Sequence, residues 1–189
     1  NDGTGGFGGQ QIITTAANYA LSVSAADLDG DGDLDVLSAS FIDRKIAWYE
    51  NDGSGSFSAQ QIITTAASGA FSVSTADLDG DGDLDVLSAS TSDNKIAWYA
   101  NDGSGSFGAQ QIITTAASGA YGVSTADLDG DGDVDVLSAS TSDNKIAWYA
   151  NDGSGSFSAQ QIITTAASGA FSVSAADLDG DGDVDVLSA

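Results

Sequence analysis

The chain has 189 residues, of which 28 are acidic and four are basic, and its formal net charge is −24. Cys and His are both absent, which excludes a disulfide framework and the usual zinc sites. A chain this acidic is not expected to bind nucleic acid or an anionic membrane surface by charge, and it has no apolar run of membrane-spanning length, so no membrane insertion is expected.

A repeat of 50 residues organises the chain, and residues 51–100 and 101–150 differ at only four positions. Each repeat contains four short runs of β-forming residues, separated by turns rich in Gly, Asn, Asp and Ser. No run of eleven or more residues has helical spacing, so an all-β fold is predicted. The Asn-Asp-Gly and Ser-Gly steps are interpreted as turns only. In chain order, the predicted strands of one repeat are residues 70–76, 84–89, 95–99 and 107–115.

An acidic loop, Asp-Leu-Asp-Gly-Asp-Gly-Asp-Leu/Val-Asp, lies between the first and second predicted strands and occurs four times. Five like charges within nine residues repel one another, and no basic residue lies inside the loop. A hard divalent cation relieves this repulsion, since Ca²⁺ takes six to eight oxygen ligands in a flexible shell. The sequence therefore predicts about four Ca²⁺ per chain. The candidate ligands are Asp27, Asp29, Asp31, Asp33, Asp35, Asp77, Asp79, Asp81, Asp83, Asp85, Asp127, Asp129, Asp131, Asp133, Asp135, Asp177, Asp179, Asp181, Asp183 and Asp185.

Positions within the loop have different expected roles. In the first copy, Asp33 at position 7 is expected to bind through its backbone carbonyl, and the other four through their carboxylates. Gly32 allows the tight turn around the ion. An EF-hand is the obvious rival, but it requires Glu at position 12, where this chain has Ser38 and its equivalents. Magnesium prefers an octahedral shell with several waters. An acidic turn without an ion is the remaining alternative.

Four antiparallel strands in each unit of 40–50 residues are typical of a β-propeller blade. A parallel β-helix and a β-sandwich are the competing all-β folds, but β-helix coils are shorter and a sandwich has no need of sequence repeats. The chain is predicted to be a single repeat domain. Its parts are an outer strand of the closing blade within 1–19, blades at 20–69, 70–119 and 120–169, and the inner strands of an incomplete blade at 170–189.

The motif Asp-x-Asp-Gly-Asp-Gly-Asp-x-Asp-Val-Leu, followed by Lys-Ile-Ala-Trp-Tyr and Asn-Asp-Gly, resembles the FG-GAP/VCBS repeat family. That family includes the blades of the integrin α-subunit propeller and many bacterial secreted and surface proteins. The resemblance covers essentially the whole chain. It implies that the acidic loop joins the innermost strand of each blade to the second strand and holds calcium. It also implies a usual count of about seven blades.

The aromatic residues of the third strand have two predicted roles. Trp48, Trp98 and Trp148 are expected in the core rather than at a sugar site, with Ile96 and Trp98 packing between neighbouring blades. The Tyr residues lie on the opposite strand face and are the better candidates for ligand contact; they are Tyr49, Tyr99 and Tyr149. Without His or Cys there is no ordinary nucleophile–base pair, and the loop carboxylates are better explained as metal ligands, so the protein is not expected to be an enzyme.

The leading functional hypothesis is a calcium-stabilised extracellular or cell-surface propeller that mediates protein contact or adhesion. One alternative is a lectin-like binder of carbohydrate, and another is an excised or engineered repeat protein. The first residue is Asn1 and no signal peptide is visible, so the chain is interpreted as a piece of something longer or as an engineered chain. The edge of its last blade is predicted to be unpaired. Self-association is therefore expected, either as two chains in a ring of about eight blades or as head-to-tail contacts, with a four-bladed monomer as the alternative.

Overall fold

The computed structural model describes residues 3–189, and the described chain is built from strands, turns and irregular segments. Each of the first three repeats forms four strands, and the last forms two. The strands are β1 (Ala20–Ala26), β2 (Asp35–Ser40), β3 (Lys45–Tyr49), β4 (Gln61–Thr64), β5 (Ala70–Ala76), β6 (Asp85–Ser90), β7 (Lys95–Tyr99), β8 (Gln111–Thr114), β9 (Ala120–Ala126), β10 (Asp135–Ser140), β11 (Lys145–Tyr149), β12 (Gln161–Thr164), β13 (Val173–Ala176) and β14 (Asp185–Ser188).

Strands that follow one another in the chain pair with one another, so each repeat forms its own antiparallel sheet. The first sheet is β1-β2-β3-β4, the second β5-β6-β7-β8, the third β9-β10-β11-β12, and the fourth contains β13 and β14. Short connections favour this arrangement, because neighbouring antiparallel strands need only a tight turn. Asn94 and Asn144 have positive φ angles of 58° and 55° in the turns before β7 and β11, a conformation that Asn tolerates well. The prediction of an all-β fold with repeated four-stranded sheets is confirmed.

The hydrophobic core lies between successive sheets rather than within any one of them. Strands β2 and β3 place alternate side chains on the face that meets the next sheet, and Ile46 and Trp48 belong to this set. Val86 and Tyr99 of the second sheet pack against them. The same contact recurs one repeat later, where Ile96 and Trp98 take the equivalent places, so their predicted packing between sheets is confirmed.

The predicted contact role of the Tyr residues is wrong. Tyr49, Tyr99 and Tyr149 are each at most 1% exposed. Their strand face meets the preceding sheet or, for Tyr49, the N-terminal segment, so both faces of the third strand are covered. The Tyr49 hydroxyl accepts a hydrogen bond of 2.7 Å from Gln60 Nε2, which satisfies it inside the core.

Two predicted strands differ from those observed. The strand predicted at 107–115 is shorter, since β8 covers Gln111–Thr114 and Phe107 forms an isolated bridge with Asn101. The outer strand predicted within 1–19 is not formed at residues 7–15, which pair with no strand of the four sheets. The segment nevertheless lies against the first sheet, where Lys45 Nζ donates to Ala16 O at 3.1 Å. Residues 1 and 2 of the predicted 1–19 segment lie outside the described residues. Within the described part, no helix has the length and hydrophobicity needed to traverse a bilayer.

Candidate metal centre

The acidic loop wraps around its own first carboxylate. In the second loop, Asp77 Oδ1 accepts a hydrogen bond of 2.8 Å from Gly80 N, and Asp77 Oδ2 accepts one of 3.0 Å from Gly82 N. The two glycines have φ angles of 78° and 96°, in the region that only glycine enters without strain. The other three loops repeat both hydrogen bonds. The short Asp-Gly-Asp-Gly sequence therefore fixes the same loop conformation in every repeat.

The ninth residue of the loop is a buried carboxylate that begins the second strand. Asp85 is fully buried, and its Oδ2 accepts a hydrogen bond of 2.9 Å from Leu78 N, at the start of the loop. Its Oδ1 accepts another of 2.9 Å from Asn101 N, in the turn that follows β7. Asp35 and Asp135 make the same pair of bonds. This carboxylate closes the loop and links it to the Asn-Asp-Gly turn.

The structure brings three of the five predicted side chains of each loop together. Carboxylate oxygens from positions 1, 3 and 9 lie within 4.8 Å of one another in all four loops. These groups contain twelve of the twenty predicted residues, three in each of four loops. The groups are Asp27, Asp29 and Asp35; Asp77, Asp79 and Asp85; Asp127, Asp129 and Asp135; and Asp177, Asp179 and Asp185.

Positions 5 and 7 of the loop lie outside these groups of three. Asp81 Oδ1 accepts a hydrogen bond of 2.9 Å from Asp83 N, so the carboxylate at position 5 stabilises the turn. The Asp83 carboxylate lies directly beside Gly103, where an added Cβ would stand 2.5 Å from Asp83 Oδ2. The proposed role of the position 7 backbone carbonyl stays a prediction.

Like charge and burial make these groups unfavourable when no cation is present. Burial, followed by the nearby Asp79 and Asp81 carboxylates, raises the pKa of Asp85 to about 6, against the lowering effect of its two N–H donors. Burial and the charges of Asp81 and Asp77 likewise raise the pKa of Asp79, and its Oδ1 is buried without a hydrogen-bond partner. Among the described residues, the ion pairs lie outside the loops, at Lys45–Asp43, Lys95–Asp93 and Lys145–Asp143. A donor set made only of oxygen atoms, with a buried acceptor left unsatisfied, fits a hard divalent cation.

The Asn-Asp-Gly turn of one sheet covers the acidic loop of the sheet before it. Asn101 Nδ2 donates to Leu28 O of the first loop at 2.8 Å and to Leu84 O of its own loop at 3.0 Å. Gly105 of this turn lies so close to Trp48 that a Cβ there would overlap the indole ring. From the sequence, these segments are predicted to be turns only. Their recurrence immediately after each Lys-Ile-Ala-Trp-Tyr strand is the sequence feature that points to a shared structural role.

The sequence matches the model of the FG-GAP-like repeat at residues 1–38, 33–88, 77–138 and 127–188. No curated protein matches the sequence. Among solved structures, the chain is similar to a lectin from Agrocybe aegerita that recognises non-reducing terminal N-acetylglucosamine, with a TM-score of 0.62 and 22% identity over 87% of this chain. It is also similar to the biofilm matrix protein Bap1 of V. cholerae, with a TM-score of 0.50 and 21% identity over 88% of this chain. The chain spans 45% of the lectin and 23% of Bap1.

Proposed function

We propose that this chain, which belongs to the family of FG-GAP-like repeats, is a calcium-stabilised binding module that acts by contact rather than by catalysis. The observation that carries the proposal is the group of three carboxylates, from positions 1, 3 and 9, in every loop. In this proposal the chain is part of an extracellular β-propeller, with blades at residues 20–69, 70–119 and 120–169 and the inner strands of an incomplete blade at 170–189.

The residues that would hold calcium in the second loop are Asp77, Asp79 and Asp85, with the Asp83 carbonyl as a further oxygen donor. The ion would neutralise two charges per loop, which brings the formal charge from −24 to −16 when four ions are bound. It would also satisfy the buried Asp79 Oδ1. Because Asp85 begins β6 and Asp77 follows β5, an ion held between them stabilises the hairpin of the two inner strands.

Two observations support a binding role outside the cell. Solved structures of similar fold include a lectin and a biofilm matrix protein, and a loop of this type is filled at extracellular millimolar calcium. The grouping of loop carboxylates at positions 1, 3 and 9 supports a role as metal ligands rather than as catalytic acids or bases. The surface that contacts a protein partner is the leading candidate for the functional surface.

Calorimetric titration of calcium into chelator-treated protein tests the metal sites. We expect about four ions per chain and no comparable heat from magnesium. A site at about 100 times its Kd adds about 2.7 kcal/mol to the free energy of unfolding if the ion binds only the folded chain, so excess EDTA should lower the Tm substantially. Two or fewer ions per chain, or a Tm that EDTA leaves unchanged, would contradict the proposal.

A second candidate function is carbohydrate binding, which the structural similarity to the Agrocybe aegerita lectin favours. One sugar site per gap between sheets is the expected arrangement. A glycan array that includes terminal N-acetylglucosamine, probed with calcium-loaded protein, separates the two candidates. Binding to one class of glycan supports the lectin-like function, and a uniformly negative array supports protein contact.

A further inference from the structure

Each sheet presents two different apolar faces, and the interior junctions always join the same two. The forward face of a sheet is the one that packs against the next sheet along the chain, and the backward face packs against the sheet before it. At the first junction, Leu37 and Ile46 lie on the forward face of the first sheet, and Val73 and Val86 lie on the backward face of the second. The second and third sheets repeat this contact, and the third and fourth sheets join in the same way, although the fourth has only two strands. The chain therefore contains three copies of one head-to-tail junction, built from nearly identical residues.

The first sheet has a backward face that no other sheet covers. The N-terminal segment lies over its outer part, beside Tyr49, where Lys45 Nζ donates to Ala16 O as Lys95 Nζ donates to Ala66 O at the first interior junction; Val23, on the first strand, stays open. Val23 on this face is 72% exposed, whereas the equivalent residues Val73, Val123 and Val173 are 7%, 8% and 6% exposed. The fourth sheet has an uncovered forward face. Leu178 there is 60% exposed and Leu187 is 41% exposed. Of their equivalents, Leu28, Leu78, Leu37, Leu87 and Leu137 are at most 1% exposed, and Leu128, beside the two-stranded fourth sheet, is partly buried.

We infer that the forward face of the fourth sheet binds the backward face of the first sheet of a second copy of this chain. The occupant follows from the molecule itself, since the two uncovered faces are the two that pack together at every interior junction. The equivalents of Leu178 at interior junctions, Leu28 and Leu78, are buried. When the second copy covers Leu178, the apolar surface of this side chain is removed from water in the same way.

Hydrogen-bonding groups on the first and fourth sheets also match the pattern of the interior junctions. Asn101 and Asn151 each donate to a Leu carbonyl in the preceding loop, Leu28 O and Leu78 O, at 2.8 Å. Asn51 Nδ2 donates only to Leu34 O in its own loop. In the pair of chains, the acceptor for Asn51 that corresponds to Leu28 O for Asn101 is Leu178 O of the second copy. The turn of one copy thereby covers the fourth acidic loop of the other.

The innermost strands define the contact more closely. Val73 N donates to Ser22 Oγ at 3.4 Å across the first junction, and Gly122 approaches Phe171 and Ser172 across the third. The equivalent contact between copies joins Ser172 to Val23 of the second copy. An aromatic row along these strands, with ring centroids 4.2 Å and 4.7 Å apart, ends at Phe171, which is 56% exposed. In the pair, Leu21 of the second copy continues this row.

Two copies close on each other through two identical junctions. A head-to-tail contact either closes into a ring or extends without limit, and two copies supply eight sheets, the upper end of the usual propeller range. Both copies are strongly acidic, so association is strongest at ionic strengths that screen the repulsion.

Sedimentation equilibrium in millimolar calcium and about 0.15 M salt tests the association. The expected mass is 37.6 kDa, twice the 18.8 kDa of one chain. Val23→Asp and Leu187→Asp each alter one exposed face and should give 18.8 kDa species with unchanged circular dichroism. Ile62→Asp is the matched control, because Ile62 is 56% exposed on β4 and lies outside both faces; this variant should stay paired. A single-chain mass for the unsubstituted protein, or an assembly larger than two chains, overturns the inference.

Mixing the two variants tests the polarity of the contact. The Val23→Asp chain keeps its fourth-sheet face and the Leu187→Asp chain keeps its first-sheet face, so the mixture should form pairs through one junction at reduced affinity. No pairing in the mixture contradicts a head-to-tail contact.

A disulfide tests the register, since the chain has no Cys of its own. A chain with Val23→Cys and Ser172→Cys should form cross-linked pairs on oxidation, and each single Cys variant should not. Ser22→Cys with Val73→Cys is the positive control, because it places the same contact within one chain. Cross-linking in the control but not in the test variant overturns the proposed register.

Discussion

The second and fourth acidic loops have nearly the same sequence but different surroundings. Their backbones agree closely, since Gly80 and Gly82 have φ angles of 78° and 96°, and Gly180 and Gly182 have 81° and 96°. In the second loop, Leu78 is fully buried, and Asp85 receives hydrogen bonds from two N–H groups. In the fourth loop, Leu178 is 60% exposed, and Asp185 is partly exposed with one such bond, from Leu178 N.

The comparison separates what the loop sequence determines from what neighbouring repeats add. The loop conformation is local, because Asp and Gly residues within nine positions supply both the hydrogen bonds and the unusual φ angles. Burial of the loop comes from the next sheet. The second N–H donor comes from the turn after the third strand. We therefore expect the same substitution to lower the free energy of unfolding by different amounts in the second and fourth loops.

The largest difference is expected between Asp85→Ala and Asp185→Ala in calcium. Asp85→Ala leaves two N–H groups without their acceptor in a buried site and removes a candidate ligand, which should cost about 3–5 kcal/mol. Asp185→Ala removes the equivalent candidate ligand but only one partly exposed hydrogen-bond acceptor, and should cost less, about 1–2 kcal/mol. Urea unfolding of both variants should be measured in the Val23→Asp background, so that a second copy does not cover the fourth loop. Equal costs would show that the neighbouring sheet adds nothing.

Much of the fold could be predicted from the sequence because its signals are local. Alternating side chains mark Ala70–Ala76, and Asp-Gly steps mark the turns, so the first three strands of each four-stranded sheet agree with the prediction to within about one residue. The N-terminal outer strand was not predictable in the same way, because residues 7–15 have the sequence of a strand but no third strand beside them. Strand formation there depends on a partner, not on propensity.

The candidate site was predictable in its residues but not in its surroundings. The spacing of the five Asp residues indicates the loop, whereas the selection of positions 1, 3 and 9 for the group of three carboxylates depends on backbone conformation. The burial of Tyr99 was missed because the sequence of one strand does not tell whether its second face meets water or another sheet. The role of Asn101 was missed because its partner, Leu28 O, lies 73 residues away.

A comparison of Gly105→Ala with Gly55→Ala isolates the contact between sheets. Both glycines have positive φ, 74° and 81°, so both variants should lose about 1 kcal/mol to backbone strain. A Cβ at Gly105 would also overlap Trp48, whereas a Cβ at Gly55 meets no atom within 4 Å. Overpacking should add about 1–3 kcal/mol for Gly105→Ala alone. Thermal unfolding measures the difference, and Trp48→Leu in the same chain should remove most of the extra cost.

Asn101→Ala and Asn51→Ala test the hydrogen bonds that join the turn to the preceding loop. Asn101 is buried, and its side chain donates to carbonyls of two different sheets, so truncation should cost about 2 kcal/mol. Asn51 donates to one carbonyl and should cost about 0.5–1 kcal/mol when the chain is kept single by Val23→Asp. Denaturant unfolding gives both values. A cost for Asn51→Ala that matches that of Asn101→Ala would mean that the contact to the preceding loop contributes little.

The smallest effect contrasts a buried loop carboxylate with an exposed turn carboxylate in the metal-free protein. Because burial raises the pKa of Asp85 to about 6, above its ordinary value of about 3.9, the folded chain binds more protons than the unfolded chain between about pH 4 and 6. The free energy of unfolding should therefore fall as the pH rises through this window in EDTA.

In calcium the trend should reverse, since protons compete with the ion for the same oxygens. Hydrogen bonds from Ser104 lower the pKa of Asp102, so its contribution is lost only when the pH falls below about 4. Asp85→Asn should consequently flatten the EDTA profile between pH 4 and 6, and Asp102→Asn should leave that profile unchanged. Melting temperatures recorded across this range, with and without calcium, give the four curves. If Asp85→Asn has the same slope as the unsubstituted chain in EDTA, burial of this carboxylate is not what makes the metal-free fold sensitive to pH.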